Sequence, residues 1–235
     1  MISKLSSTLF EKSSNYNAIL NVATLALFLV GLYYALVASP PDIIQGDSMR
    51  IMYIHVPAAW LSLMIYSLLA LSCVLWFIFR NPILSLIGQS LAPIGAAFTL
   101  IALITGSIWG KPTWGTWWAW DARLTSMLIL FFLYLAYILL WKSVSNKDTA
   151  SKIAAALGII GFINIPIIKF SVDWWNTLHQ PATISKLSAP SIDISMLVPL
   201  MIMMLASIFF LLTLFLIRMR IHILEQKINR LIKTK

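Results

Sequence analysis

At 235 residues, with 60% hydrophobic and only 11% charged side chains, the chain carries more apolar surface than a soluble core absorbs, which excludes a soluble globular domain and marks an integral membrane protein. The net charge of +9 does not point to nucleic acid, because the basic residues are spread between apolar runs, the way membrane topology is written. The single cysteine, Cys73, lies inside an apolar run, where it reads as a small buried hydrophobe; it excludes an internal disulfide, and no Cys-x-x-Cys offers redox chemistry or c-type haem attachment.

In chain order, the polar start (Met1–Asn17) runs into a span-length apolar stretch with no signature of a cleaved signal peptide, so a retained first helix is expected. A bilayer core takes roughly 20 apolar residues per helix. Six runs approach or exceed that length: Ala18–Ala38, Met52–Phe79, Leu84–Ile108, Ser126–Trp141, Ile153–Lys169 and Ile194–Ile217. The second is long enough to tilt or to begin as an interfacial turn, with Pro57 near its start, where a missing N–H costs little. The fourth is short. No strand pattern competes, and neither internal repeats nor low-complexity segments occur. The expectation is one all-α domain over residues 1–235, with six transmembrane helices.

Orientation follows the Lys/Arg bias. With both termini in the cytoplasm, the inner segments hold twelve of the seventeen basic residues against three acids, a net +9, and the outer segments balance five against five. This places the stretch Trp109–Thr125, between spans three and four, on the outer side. The basic tail after Ile217 has two open readings: a docking site, or a solvated stop-transfer tail near anionic lipid.

Trp114–Thr125 reads WGTWWAWDARLT: four tryptophans within seven residues, followed by Asp121 and Arg123. Read as a helix, Trp114, Trp117, Trp118 and Asp121 fall at i, i+3, i+4 and i+7 and share one face, an indole wall ending in a carboxylate. Trp120 then points elsewhere, and Gly115 lets a neighbour or ligand approach the backbone. An interfacial aromatic belt is the plainer explanation. Yet seven of the ten tryptophans are outer residues: Trp109, Trp114, Trp117, Trp118, Trp120, Trp174 and Trp175. That concentration favours a platform for a flat apolar ligand over a belt of scattered anchors.

Two of the three histidines fall on the same side. His55 stands at the outer entrance of span two, and His179 lies in the Val172–Asp193 connection; His222, in the tail, reads as a surface residue. A lone histidine near a helix end is usually structural. Two of them flanking a tryptophan platform suit the axial positions of a haem iron, one on each side of the ring. Arg123 could then hold a propionate, with Asp121 orienting that arginine, an indole N–H or loop backbone; an interfacial salt bridge that only fixes the loop is the other open reading. The Val172–Asp193 segment carries Trp174, Trp175, Pro181 and Pro190 and is expected to act as a lid, with a plain surface loop as the alternative.

At Trp114–Thr125 the chain resembles a known family. The stretch matches W-G-x-W-W-x-W-D-x-R-L-T, nine fixed positions in twelve, the tryptophan-rich (WWD) signature of the haem-handling membrane proteins of cytochrome c maturation. Six spans and two outer histidines are similar to its smallest branch, and the resemblance runs from span one to the basic tail. It implies that Trp114, Gly115, Trp117, Trp118, Trp120, Asp121, Arg123, Leu124 and Thr125 face haem, and that His55 and His179 are its axial ligands. It also implies b-type haem bound transiently, transfer to a periplasmic haem chaperone, and work alongside ATP-binding-cassette subunits and a small membrane subunit. The implied location is a bacterial inner membrane or an organellar one. The chain has no G-x-x-x-x-G-K-[ST] loop, so ATP hydrolysis would belong to a partner, and it has no thiol pair for thioether chemistry. Two other functions stay open: a membrane redox subunit with permanently bound haem, and a ligand-free assembly subunit anchored by its aromatic belt.

Overall fold

The computed structural model describes residues 2–179 and 191–233. Seven helices account for most of them: α1 (Ile2–Tyr33), α2 (Met52–Phe79), α3 (Pro82–Trp114), α4 (Ala122–Ser143), α5 (Lys147–Gly161), α6 (Asn164–Trp174) and α7 (Ile194–Lys233). A π-helical turn (Tyr34–Ala38) ends α1, and a 3₁₀ turn (Asp47–Ile51) leads into α2. Six helical segments are long and apolar enough to cross a membrane, with α5 and α6 counting as one. All six expected spans are present.

The breaks between helices follow local chemistry. Asn81 accepts the Ile83 amide and precedes Pro82, whose missing N–H costs nothing at a first helical position, so α3 starts cleanly after Arg80 closes α2 in a left-handed conformation (φ 51°). Asn146 accepts the Asp148 and Thr149 amides and starts α5. The fifth span is interrupted at Phe162–Ile163, a break that apolar periodicity did not reveal. Pro166 cannot donate to the Phe162 carbonyl, which accepts from the Ile165 amide at 3.0 Å instead, and the turn tightens.

α2 and α3 form the central hairpin. α4 packs on α3, α5 and α6, while α1 packs on α7. The core is aromatic and aliphatic: the Tyr66 and Tyr134 rings meet edge to face at 5.1 Å, and the Tyr134 hydroxyl donates to the Ser62 carbonyl at 2.7 Å. That bond matters because lipid offers no replacement partner for a polar group inside a bundle. α3 exceeds its expected span by a turn and a half at its end. Its 33 residues reach about 50 Å at about 1.5 Å each, well past a hydrocarbon core of about 30 Å. Its last turns therefore carry Trp109 and Trp114 beyond the apolar slab, at the end of the bundle where α2 and α4 begin and α6 stops.

Candidate functional site

His55 lies one turn into α2, against α3. Its Nδ1 is 3.1 Å from the Ala102 carbonyl and 3.1 Å from Thr105 Oγ1. A carbonyl only accepts, so Nδ1 carries the proton and donates. The Thr105 hydroxyl donates to the Ile101 carbonyl at 2.6 Å, which leaves its oxygen free to accept as well. His55 Nε2 consequently keeps its lone pair. The Trp109 ring stands edge to face with the imidazole, centroids 5.7 Å apart, and its Nε1 donates to Gln45 Oε1 at 2.8 Å. Gly106 makes this closeness possible: a Cβ there would lie 2.9 Å from His55 Cε1.

His179 is held from the other side. Its Nδ1 lies 3.3 Å from Asp121 Oδ2, and its ring meets Trp114 at 4.7 Å between centroids. The same carboxylate is the N-cap of α4: Oδ1 accepts the Leu124 amide at 2.8 Å, and Oδ2 also receives the Leu178 amide at 3.3 Å. Of the roles open to Asp121, orienting loop backbone is therefore one it performs. Because a carboxylate is acceptor-only, the proton again sits on Nδ1 and Nε2 is left with its lone pair. Burial lowers the His179 imidazole below the ordinary histidine value, outweighing the upward pull of the Asp121 carboxylate, and so favours the neutral form that a metal needs. His55, His179 and Arg123 lie within electrostatic reach of one another.

The tryptophan stretch departs from the helical expectation. α3 ends at Trp114, and residues 115–121 are not helical, so Trp114, Trp117, Trp118 and Asp121 do not share a helix face. The cause is Gly115, which adopts φ 78° and closes α3 through its amide to the Lys111 carbonyl. A Cβ at Gly115 would meet no protein atom within 4 Å, so this glycine serves the turn and brings no neighbouring segment close. Trp118 meets Trp120 edge to face at 5.5 Å, while Trp117 and Trp120 are 56% and 78% exposed. The Trp117 carbonyl is tied back to α3 by the Ser107 hydroxyl at 2.7 Å.

Arg123 forms no ion pair with Asp121 among the described residues. Its Nε donates to Ser171 Oγ at 3.2 Å, and its Nη2 points at the Ile168 and Lys169 carbonyls at 3.5 and 3.4 Å, in the middle of α6. It fastens α4 to α6 through these contacts. Of the expected lid, Trp174 and Trp175 are about half exposed, and Pro181 and Pro190 lie outside the described residues.

One end of the bundle thus brings together two imidazoles with unpaired Nε2 atoms, each backed by an indole. Trp118 Nε1 and Thr177 Oγ1 are buried and have no hydrogen-bond partner among the described residues. Among the described residues no group of three or more His, Cys, Asp or Glu side chains could hold a bare metal ion. Two neutral imidazoles among aromatic rings suit an iron that brings its own equatorial ligands, and haem fits them on that ground. Thr105, Gly106, Gln45 and Thr177 escaped the sequence reading. Gly106 and Trp109 are one turn apart on a helix whose partner bears His55, a faint signal in hindsight; nothing in the sequence connects Gln45 to either.

The sequence matches the family described as Heme exporter protein C over residues 3–234. It is 47% identical over 212 residues to the Heme exporter protein C of Bradyrhizobium diazoefficiens, covering 90% of this chain and 80% of that protein. It is 45% identical over 211 residues to the Heme exporter protein C of Escherichia coli (strain K12), covering 90% and 85%. It is 49% identical over 191 residues to a putative cytochrome c biosynthesis ccmC-like mitochondrial protein of Marchantia polymorpha, covering 81% and 80%.

Proposed function

This chain belongs to the Heme exporter protein C family, and on that premise we propose that it holds b-type haem transiently at the outer end of its bundle and hands it to a periplasmic haem chaperone. It is a haem-handling, multi-pass inner-membrane subunit of the cytochrome c maturation system. His55 and His179 are the axial ligands, through Nε2. Trp114 and Trp118, with Trp117 and Trp120 at the exposed rim, supply the aromatic surface. Asp121 orients His179, Gly115 turns the chain, and Arg123 keeps α4 and α6 in register, with its charge beside the site. Both termini are cytoplasmic. ATP-binding-cassette subunits and a small membrane subunit work with it, as the family resemblance implies, and ATP hydrolysis is theirs.

The observation that carries this reading is the matched tautomer of the two imidazoles. Each spends its Nδ1 proton on a fixed acceptor (Ala102 O and Thr105 Oγ1 for His55, Asp121 for His179), which leaves Nε2 of each with its lone pair. A permanent electron carrier is not favoured: the remaining histidine, His222, lies in the tail half of α7, against Glu225. The test is haem loading of the purified protein. Wild type gives a low-spin spectrum and loses haem to an added chaperone. A His55→Ala, His179→Ala double variant with an unchanged low-spin spectrum would refute the axial assignment.

A further inference from the structure

The connection between α1 and α2 carries no histidine and no tryptophan, yet it reaches into the site. Asp42 folds it: Oδ1 accepts the Ile44 and Gln45 amides at 2.9 and 2.8 Å, and Asp42 and Gly46 exchange backbone hydrogen bonds across a tight turn, with Gly46 at φ 57°. The next residues are anchored in turn. Arg50 pairs with Asp47 at 2.9 Å and donates to the Ala35 carbonyl at 2.8 Å, tying the entry of α2 to the π-helical end of α1. The turn presents Gln45, whose Oε1 accepts the Trp109 indole N–H at 2.8 Å.

We propose that Gln45 is a positioning residue for the His55 ligand, acting through Trp109. The indole N–H is a donor with a single hydrogen, and Gln45 supplies its one described acceptor, so this bond sets where the ring lies. The ring in turn packs edge on against His55, 73° between planes. Nδ1 of His55 is tethered to Ala102 and Thr105, and Gly106 and the Trp109 ring bound how far the imidazole can swing about that tether. The 39–51 connection is thereby part of the haem site, although none of its residues is an iron ligand. This inference rests on the axial reading of His55.

The experiment uses the full chain, purified and loaded with haem, and reads haem affinity together with the electron paramagnetic resonance g-values of the low-spin ferric form. These values report the orientation of axial imidazoles, which a merely structural role would not move. Gln45→Leu removes the acceptor, Trp109→Phe removes the donor but keeps a ring, and Gln45→Glu restores an acceptor. Gln45→Leu and Trp109→Phe each should shift the g-values and weaken haem binding by about three- to tenfold, the scale of one hydrogen bond. The double variant should be no worse than the more affected single, and Gln45→Glu should recover most of the wild-type signal. Unchanged g-values in Gln45→Leu, with the signal lost in His55→Ala, overturn the positioning role and leave the axial reading intact. An unchanged signal in His55→Ala overturns both.

Discussion

Asp121 and His179 are bound by a carboxylate that has two tasks: Oδ1 starts α4 by accepting the Leu124 amide, and Oδ2 holds the imidazole Nδ1 at 3.3 Å. The capping residue of one helix is thereby also the orienting partner of an imidazole carried by a different segment, 58 positions away. The two tasks separate by substitution. Asp121→Asn keeps a cap oxygen, so thermal stability in detergent should change little, but the charge that favours the Nδ1–H tautomer is gone and haem retention should fall. Asp121→Ala should lose both, with about 1 kcal/mol of stability going with the cap. A differential unfolding scan beside a haem absorbance titration checks this; equal stability loss in both variants would contradict it.

The two ligands should fail separately. His55→Ala or His179→Ala each leaves one imidazole, so the ferric spectrum should change from six-coordinate low-spin to a high-spin form, and added imidazole should restore the low-spin bands. Both variants should elute like wild type, because both rings are only partly buried at the end of the bundle.

Gly106→Ala and Gly115→Ala make a contrasting pair. A methyl at 106 would stand 2.9 Å from His55 Cε1 and push the ring, so haem affinity should drop at least severalfold while stability changes little. At 115 there is room for a methyl, but φ 78° disfavours any L side chain. That variant should lose about 1 kcal/mol of stability, read by thermal unfolding, with a smaller effect on haem.

Arg123 decides between two roles by its partners. Its donors go to Ser171 and to the Ile168 and Lys169 carbonyls of α6, so Arg123→Lys, which keeps the charge but loses the planar fork, should destabilise the α4–α6 contact by about 1 kcal/mol. Faster proteolysis near residues 164–179 would register it. Normal stability with haem retention lost would instead assign the guanidinium to a propionate.

Much of the architecture was legible because membrane spans obey a length rule and charge bias needs no tertiary contact. The six apolar runs and the placing of His55 and His179 on the same side as the tryptophans follow from one-dimensional pattern. The break at Phe162–Ile163 escapes a count of apolar residues, because its signals are a single Asn164 and Pro166, whose missing N–H leaves the Phe162 carbonyl to the Ile165 amide. The helical face drawn through Trp114, Trp117 and Trp118 failed for a similar reason. Periodicity was satisfied, but a glycine at a left-handed angle and a capping aspartate ended the helix on either side of the stretch.

By itself the sequence determined membrane class, span number, the gathering of tryptophans and histidines at one end, and the residue types that suit haem. Such properties depend on composition and order along the chain. Only the tertiary structure decided which nitrogen of each histidine is left for a metal, that Asp121 orients His179, that Arg123 turns to α6, and that Gln45 reaches Trp109. Those depend on which groups meet across helices, and hydrogen bonds between residues 45 and 109 or 121 and 179 leave no periodic trace in the chain.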